Sequence, residues 1–246
     1  MKRRLFIAST LSGALAACAP IGNKLNQNAA FHRLLESAEG VNETIIGTHG
    51  HARFYRPQDI SADFPIDSLD TPSDAVYSRL IGEQFRPYRL IVNGLVAYPQ
   101  ALPLDRLNAM MKVSQITRHD CVEGWSAIAQ WQGVRLSDVL ALAVPGANAR
   151  YVVFHSFDQD TNGTPYYESL SLAQAAHPQT LLALRQNGKP ILPERGAPVR
   201  LTIPTQLGYK SAKWVARIEL VQSLAAIGSG KGGYWEDQGY EWYAGI

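Results

Sequence analysis

The spacing of apolar and polar residues predicts both strands and short helices. Apolar residues alternate with polar ones, or run continuously, over 88–96, 113–119, 151–157, 198–204 and 213–221, which is typical of strands. They recur at helical spacing over 104–111, 136–143 and 170–184, and more weakly over 31–38. Because the two kinds of element mix without regular βαβ alternation, the pattern predicts an α+β fold.

The first fifty residues differ from the rest of the chain. A basic start with Arg3 and Arg4, then an apolar run that ends in small residues, is typical of an export signal and too short to span a membrane. The arginine pair resembles a twin-arginine signal, and LAAC at 15–18 resembles a lipoprotein cleavage box. An ordinary export signal is the alternative to both. We predict a signal over 1–17, a linker over 18–50 and one domain over 51–246.

This signal predicts a periplasmic or other extracytoplasmic protein. If the cleavage box is used, Cys18 becomes the first residue and carries a lipid anchor. Loss of 1–17 removes three basic residues and no acid, so 23 basic and 21 acidic residues become 20 and 21, and the formal charge moves from +2 to −1. With this charge the chain has no overall excess of positive charge that would attract nucleic acid, and no nucleic-acid partner is predicted.

The stretch TRHDCVEGWS, 117–126, holds Cys121, the one cysteine besides Cys18. A thiol without a partner in an oxidising compartment must be buried or bound to something. It can be a nucleophile activated by His119 or His155, since His119 and Cys121 project to the same face of a strand. It can also bind a metal that brings its own organic chelate, because the usual zinc-ligand spacings are missing from the sequence.

The last third of the chain has two glycine-containing turns. In GAPVRLTIPTQLGYKSAKW, 196–214, Arg200 lies near the start of a strand and Gly208, Tyr209 and Lys210 form a turn. Glycine allows close backbone approach and lysine supplies a charge, which together suit a phosphate. The loop GSGKGG, 228–233, lacks the spacing of a nucleotide-binding loop and is predicted to be flexible.

Four blocks carry a resemblance to a known family: TRHDCVEGWSAIAQWQGVRLSDVL, YYESLSLAQAAHPQTLLAL, the GAPVRLTIPTQLGYKSAKWVARIEL block and GGYWEDQGYEW. Over about 54–242 the chain resembles the molybdopterin-binding domain of the sulfite oxidase superfamily. It is most similar to the exported bacterial branch without haem, which includes catalytic subunits of periplasmic methionine-sulfoxide reductases.

The resemblance implies a Mo-molybdopterin cofactor with one pterin dithiolene. The thiolate of Cys121 would then be the metal ligand from the protein. Matching positions imply further cofactor contacts at Tyr55, Arg56, Ser156, Arg200, Gly208, Tyr209 and Lys210. Arg118 and His119 are the candidates for facing the substrate, although Arg118 can instead pair with Asp120 or Glu123 on the surface.

The activity implied by the resemblance is a two-electron oxidation or reduction of a small oxyanion or a sulfoxide, with transfer of an oxygen atom. Electrons would be exchanged with a separate redox protein, either membrane-bound or a cytochrome. Two alternatives stay open: a non-catalytic binding protein that keeps the fold, and a thiol hydrolase that uses Cys121. Cofactor content separates the first alternative from the enzyme, and alkylation of Cys121 in the active protein separates the second.

Overall fold

Two β-sheets and five short α-helices make up the part of the chain that the structure describes, residues 50–66 and 71–246. In this computed structural model the helices are α1 (Ala75–Gly82), α2 (Leu104–Met110), α3 (Leu136–Ala143), α4 (Leu172–Ala176) and α5 (Tyr234–Asp237). The strands are β1 (Arg89–Gly94), β2 (Gln100–Pro103), β3 (Val113–Asp120), β4 (Ser126–Arg135), β5 (Tyr151–Gln159), β6 (Pro165–Ser171), β7 (Leu181–Gln186), β8 (Lys189–Pro190), β9 (Arg200–Thr202) and β10 (Val215–Val221). Short 3-10 helices cover Pro57–Asp59, Pro193–Arg195 and Gly208–Lys210.

Each sheet has a different strand order. The first sheet runs β2-β1-β10-β5-β6, and its β1–β10 pair is parallel while its other pairs are antiparallel. The second runs β3-β4-β7-β8, with β9 also paired to β7. Strands distant in sequence are thus neighbours in both sheets, which local sequence patterns cannot encode.

The main hydrophobic core takes residues from both sheets and from α3. Leu90 and Ile218 from the first sheet and Leu182 from the second are fully buried in it, together with Leu136 and Val139 of α3. A smaller core, on residues of the second sheet, contains Ala127, Ala129 and Trp131 of β4 together with Phe64. Removing this apolar surface from water is the main force that holds the sheets together.

The α+β prediction is confirmed, as are several individual elements. Strands are present where apolar runs predicted them over 88–96, 113–119, 151–157, 198–204 and 213–221, although β9 is shorter than its predicted segment. The helix predicted over 136–143 matches α3, and the one over 104–111 ends one residue early in α2.

The helix predicted over 170–184 is wrong. This segment contains the end of β6, the short α4 and the start of β7. Ser171 caps α4 by accepting a hydrogen bond from the Gln174 amide, and Pro178 disfavours helical backbone at His177, so α4 ends at Ala176. Strand β7 is buried on both faces, so its continuous apolar run lacks the alternation that marks a half-buried strand.

Several predicted features fall outside the described residues: the export signal, Cys18, the linker up to residue 49 and the helix over 31–38. Within residues 50–66 and 71–246, no helix combines the length and apolar character needed to cross a bilayer. The glycine-rich loop at 228–233 is folded around a side chain, because the Asp237 carboxylate accepts hydrogen bonds from the amides of Ser229 at 2.7 Å and Lys231 at 3.1 Å.

Candidate functional site

A hairpin between β3 and β4 presents Cys121 at its tip. Eight residue pairs join the two strands, from Val113 with Gly133 to Asp120 with Ser126, and Cys121 is the first residue of the five-residue loop. The Cys121 amide donates to the carbonyl of Trp125 at 2.9 Å. Gly124 closes the loop with a φ of +89°, which glycine adopts without steric cost. The thiol therefore lies on a tight and well-bonded turn.

This hairpin tip forms one side of a pocket. His119, Cys121, Val122 and Glu123 line that side. The other side is formed by residues from four separate parts of the chain: Asp158 of β5, Tyr166 of β6, Trp235 of α5, and Gly208, Tyr209, Ser211 and Lys213. The pocket thus combines a thiol, two carboxylates, one lysine and an aromatic wall.

His119 packs its ring between aromatic side chains at the base of the hairpin. Its ring centroid lies 5.7 Å from that of Phe64 and 5.6 Å from that of Trp125. Burial, together with the positive charges of Arg200 and Lys213, lowers the pKa of His119 to about 3. The imidazole is therefore neutral at physiological pH.

Four of the predicted site residues line the pocket: His119, Cys121, Gly208 and Tyr209. Arg118 does not. It projects from the opposite face of β3, is exposed, and pairs with Asp120 at 2.9 Å. Of the two roles considered for Arg118, the surface ion pair is the one present.

Four other predicted residues lie away from the pocket lining. The hydroxyl of Ser156 donates to the carbonyl of Lys213 at 2.6 Å and so supports the backbone of a lining residue. Arg200 is buried with its guanidinium 5.4 Å from the ring centroid of Trp131. Tyr55 is held by its amide, which donates to Ile116 at 2.9 Å, and Arg56 is exposed and pairs with Asp59.

Lys210 was predicted to contact the phosphate of the cofactor, but its side chain is fully buried and its partners are two glutamates. Its ammonium lies 2.5 Å from a carboxylate oxygen of Glu168 and 2.6 Å from one of Glu236. These carboxyls take up its charge. Lys213, three residues later, is the lysine that lines the pocket and is placed to meet an anionic ligand there. Lys213 belongs to the same GYKSAKW motif, but its spacing alone does not distinguish it from Lys210.

Comparison with known proteins identifies the family. The family described as "Oxidoreductase molybdopterin binding domain" matches residues 80–225, which include Cys121, the 208–213 segment and both sheets. The chain belongs to this molybdopterin-binding oxidoreductase family. The predicted family and the Mo-molybdopterin cofactor are thereby confirmed.

Several relatives of this chain are named as methionine-sulfoxide reductase subunits. A provisionally named protein-methionine-sulfoxide reductase subunit, YedZ1, from Azospira oryzae is 44% identical over 158 residues, which are 64% of this chain and 56% of the relative. The protein-methionine-sulfoxide reductase catalytic subunit MsrP of Xanthomonas campestris is 37% identical over 66% of this chain and 52% of its own length. The chain thus spans little more than half the length of these relatives.

A solved structure shares the fold. The sulfane dehydrogenase SoxCD from Paracoccus pantotrophus superposes with a TM-score of 0.51 at 20% identity, over 72% of this chain and 46% of that one. At this level of identity the similarity is one of fold alone.

The pocket lining suits the metal end of a molybdopterin cofactor. The Cys121 thiol is a soft donor of the kind that binds such metals, and Lys213 supplies a positive charge for an anionic group. Gly208 packs directly against His119, where a side chain would not fit. The cavity that these residues line is about 60 Å³, with room for several water molecules.

We expect Gly208→Ala to disturb the hairpin that carries Cys121. A Cβ at this position would lie 2.6 Å from Nε2 of His119 and 3.2 Å from the carbonyl oxygen of Asp120. The packed aromatic rings around His119 limit its movement, so we expect a loss of about 1–3 kcal/mol in the free energy of unfolding, measured by urea denaturation. Gly82→Ala, where a Cβ meets no atom within 4 Å, is the control. Equal stability of the two variants would contradict this close approach.

Proposed function

We propose that this chain is an exported molybdenum-dependent oxidoreductase that reduces sulfoxides, with Cys121 as the metal ligand from the protein. The observation that carries the proposal is the composition of the pocket around Cys121, which joins a soft donor to an aromatic wall and to few cationic groups. The names of the relatives support the same substrate class, since they describe reductases of methionine sulfoxide in proteins.

The cofactor would be held by residues that meet at the pocket. Cys121 would bind the metal as its thiolate, and Lys213 and Ser211 would face its anionic and polar groups. Ser156 would keep Lys213 in place through its backbone carbonyl. When bound, the molybdenum–pterin group supplies two-electron redox chemistry with transfer of an oxygen atom.

The charge of the pocket favours a neutral sulfoxide over an oxyanion such as sulfite. Glu123 and Asp158 line the pocket, and among the described lining residues Lys213 is the lone cation, because His119 is neutral and Arg118 points away. If Lys213 faces the cofactor, the rest of the lining contains two acidic side chains and no arginine. The further positive charge that acts on His119, that of Arg200, belongs to a residue outside the lining. Val122, Tyr166 and Trp235 offer apolar surface to the carbon groups of a sulfoxide.

Sulfoxide reduction takes up two electrons and two protons and releases the sulfide and water. We propose that the electrons come from a separate redox protein, membrane-bound or a cytochrome, as the resemblance implied. The signal-like residues 1–17 support export, with twin-arginine transport suited to a chain that folds around its cofactor before it crosses the membrane. A lipid on Cys18 would keep the enzyme near a membrane-bound donor.

The experiment that tests this function measures metal and turnover together. The chain, expressed in a host that makes molybdopterin, should contain about one molybdenum per chain, as the resemblance implies for a single pterin, and should oxidise reduced benzyl viologen when methyl p-tolyl sulfoxide or N-acetylmethionine sulfoxide is added. Ferricyanide reduction with sulfite should be far slower. A metal-free protein, or faster turnover with sulfite, would overturn the proposal.

Two other functions are less consistent with the site. A thiol hydrolase needs a base to accept the proton of Cys121, and an imidazole with a pKa of about 3 is a weak base for a thiol. It would also be inactivated by iodoacetamide, whereas a metal-bound thiolate resists alkylation. If the chain were a non-catalytic binding protein, it would contain no molybdenum and show no turnover but would still bind its partner.

A further inference from the structure

A buried ionic cluster lies behind the aromatic wall of the pocket. It consists of Lys210, Glu168 and Glu236, whose side chains are at most 1% exposed. Each glutamate places one oxygen within 2.6 Å of the ammonium, and the ring centroid of Trp242 lies 5.3 Å from Nζ. Even when paired, ions this deeply buried add little net stability, because the cost of removing them from water offsets their attraction, so the cluster is expected to have a role besides stability.

The cluster joins the same three segments that form the aromatic side of the pocket. Strand β6 supplies Glu168 and, two residues earlier on the same face, the lining residue Tyr166. The 3-10 helix Gly208–Lys210 supplies Lys210 next to the lining residue Tyr209. Helix α5 supplies Glu236 next to the lining residue Trp235. Each segment thus gives one residue to the cluster and at least one to the pocket.

Further contacts connect these lining residues to one another. Trp235 stacks on Tyr240 with ring centroids 5.4 Å apart, and Tyr240 meets Tyr209 edge-on at 5.3 Å. The Tyr166 hydroxyl donates to the carbonyl of Tyr209 at 2.7 Å. Gly233, the residue before α5, leaves room for the two carboxyls, because a Cβ there would lie 1.9 Å from Oε2 of Glu236 and 2.9 Å from Oε1 of Glu168. A shift of α5 would therefore move the aromatic wall.

The charges of the cluster balance when one carboxyl keeps its proton. Burial, with the neighbouring Glu236 carboxyl, raises the pKa of Glu168 well above its usual range, against the opposing charge of Lys210. The raised pKa favours the protonated form of Glu168, and a cluster with one protonated carboxyl carries no net charge. The cluster can hold three segments together without a net buried charge.

We propose that Glu168, Lys210 and Glu236 form a positioning cluster that holds α5 in place, so that Trp235 completes the wall of the pocket and sets how tightly the substrate binds. None of the three touches the pocket, so they act through Trp235, Tyr209 and Tyr166. The effect on α5 is independent of the chemistry at the metal, whereas the effect on substrate binding rests on the proposed sulfoxide reductase function.

The test compares two replacements of Glu236 that remove the same charge. Glu236→Gln keeps an oxygen for Lys210, and Glu168 can then supply the negative charge. Glu236→Met has similar length but no acceptor, so it releases α5 while the Lys210–Glu168 pair stays balanced. Hydrogen exchange of the amides of residues 237–240, which bond within the α5 turn, reports the release in metal-free protein. KM and kcat for methyl p-tolyl sulfoxide, with reduced benzyl viologen, report its effect in the loaded enzyme.

We expect Glu236→Met to speed exchange of these amides by about tenfold or more, the factor that corresponds to the loss of a charged hydrogen bond, with no change in the β3–β4 amides. KM should rise several-fold at unchanged kcat and molybdenum content, and Glu236→Gln should match the wild type in both measurements. Slow exchange in Glu236→Met, or equal effects of both variants, would show that the cluster does not hold α5. Fast exchange with unchanged KM would overturn the positioning role. Absence of sulfoxide turnover in the wild type would reject the proposed function and leave the exchange result intact.

Discussion

Replacing Cys121 with serine is expected to abolish turnover of methyl p-tolyl sulfoxide. A serine hydroxyl is not deprotonated at neutral pH and is a hard oxygen donor, so it cannot take the place of a soft thiolate on the metal. The replacement is small and lies on a hairpin tip held by backbone hydrogen bonds, so the fold should be kept. Turnover, molybdenum content and circular dichroism measured on the same preparation separate loss of chemistry from loss of cofactor or fold.

The other cysteine provides the matched control for this experiment. Cys18→Ser removes a thiol that lies outside the described residues, so turnover of the purified protein should stay at the wild-type level. The replacement should affect only lipid attachment, which is measured as a smaller amount of the protein in the membrane fraction. Full sulfoxide turnover in Cys121→Ser would contradict the assignment of Cys121 as the metal ligand.

Replacing Lys210 with methionine is expected to have the largest effect on stability. The replacement leaves Glu168 and Glu236 facing each other at under 2% exposure without a cation. Breaking a buried ion pair by removal of one partner costs about 3–5 kcal/mol, which for a chain of this size lowers the melting temperature by roughly 10 °C. Thermal unfolding followed by circular dichroism measures the change.

An exposed lysine separates this effect from the general loss of a positive charge. Lys231→Met removes a lysine from the surface of the glycine-rich loop, and its melting temperature should stay near that of the wild type. If Lys210 were instead a surface-like cation available to a phosphate, the two variants would melt at similar temperatures. That result would restore the sequence-based role of Lys210.

The elements that sequence predicted well are those whose pattern is local. Helix α3 and strand β5 follow from their own apolar spacing. The helix predicted over 170–184 was wrong because β7 is buried on both faces. A strand buried in this way has a continuous apolar run, without the alternation of apolar and polar residues that identifies a strand in the sequence. Strand β4 was missed because the residues it buries before Trp131 are alanines, which carry a weak strand signal.

The sequence alone determined the family and its cofactor, through a resemblance that four blocks of residues carry, and it predicted Cys121 as the metal ligand. Such a resemblance depends on residue types and their order. Only the tertiary structure decided which side chains share a pocket. It turned Arg118 outward to Asp120, enclosed Lys210 between two glutamates, and brought Lys213 and Trp235 to the thiol. Such choices depend on pairing and burial between segments far apart in the chain, which residue spacing does not encode.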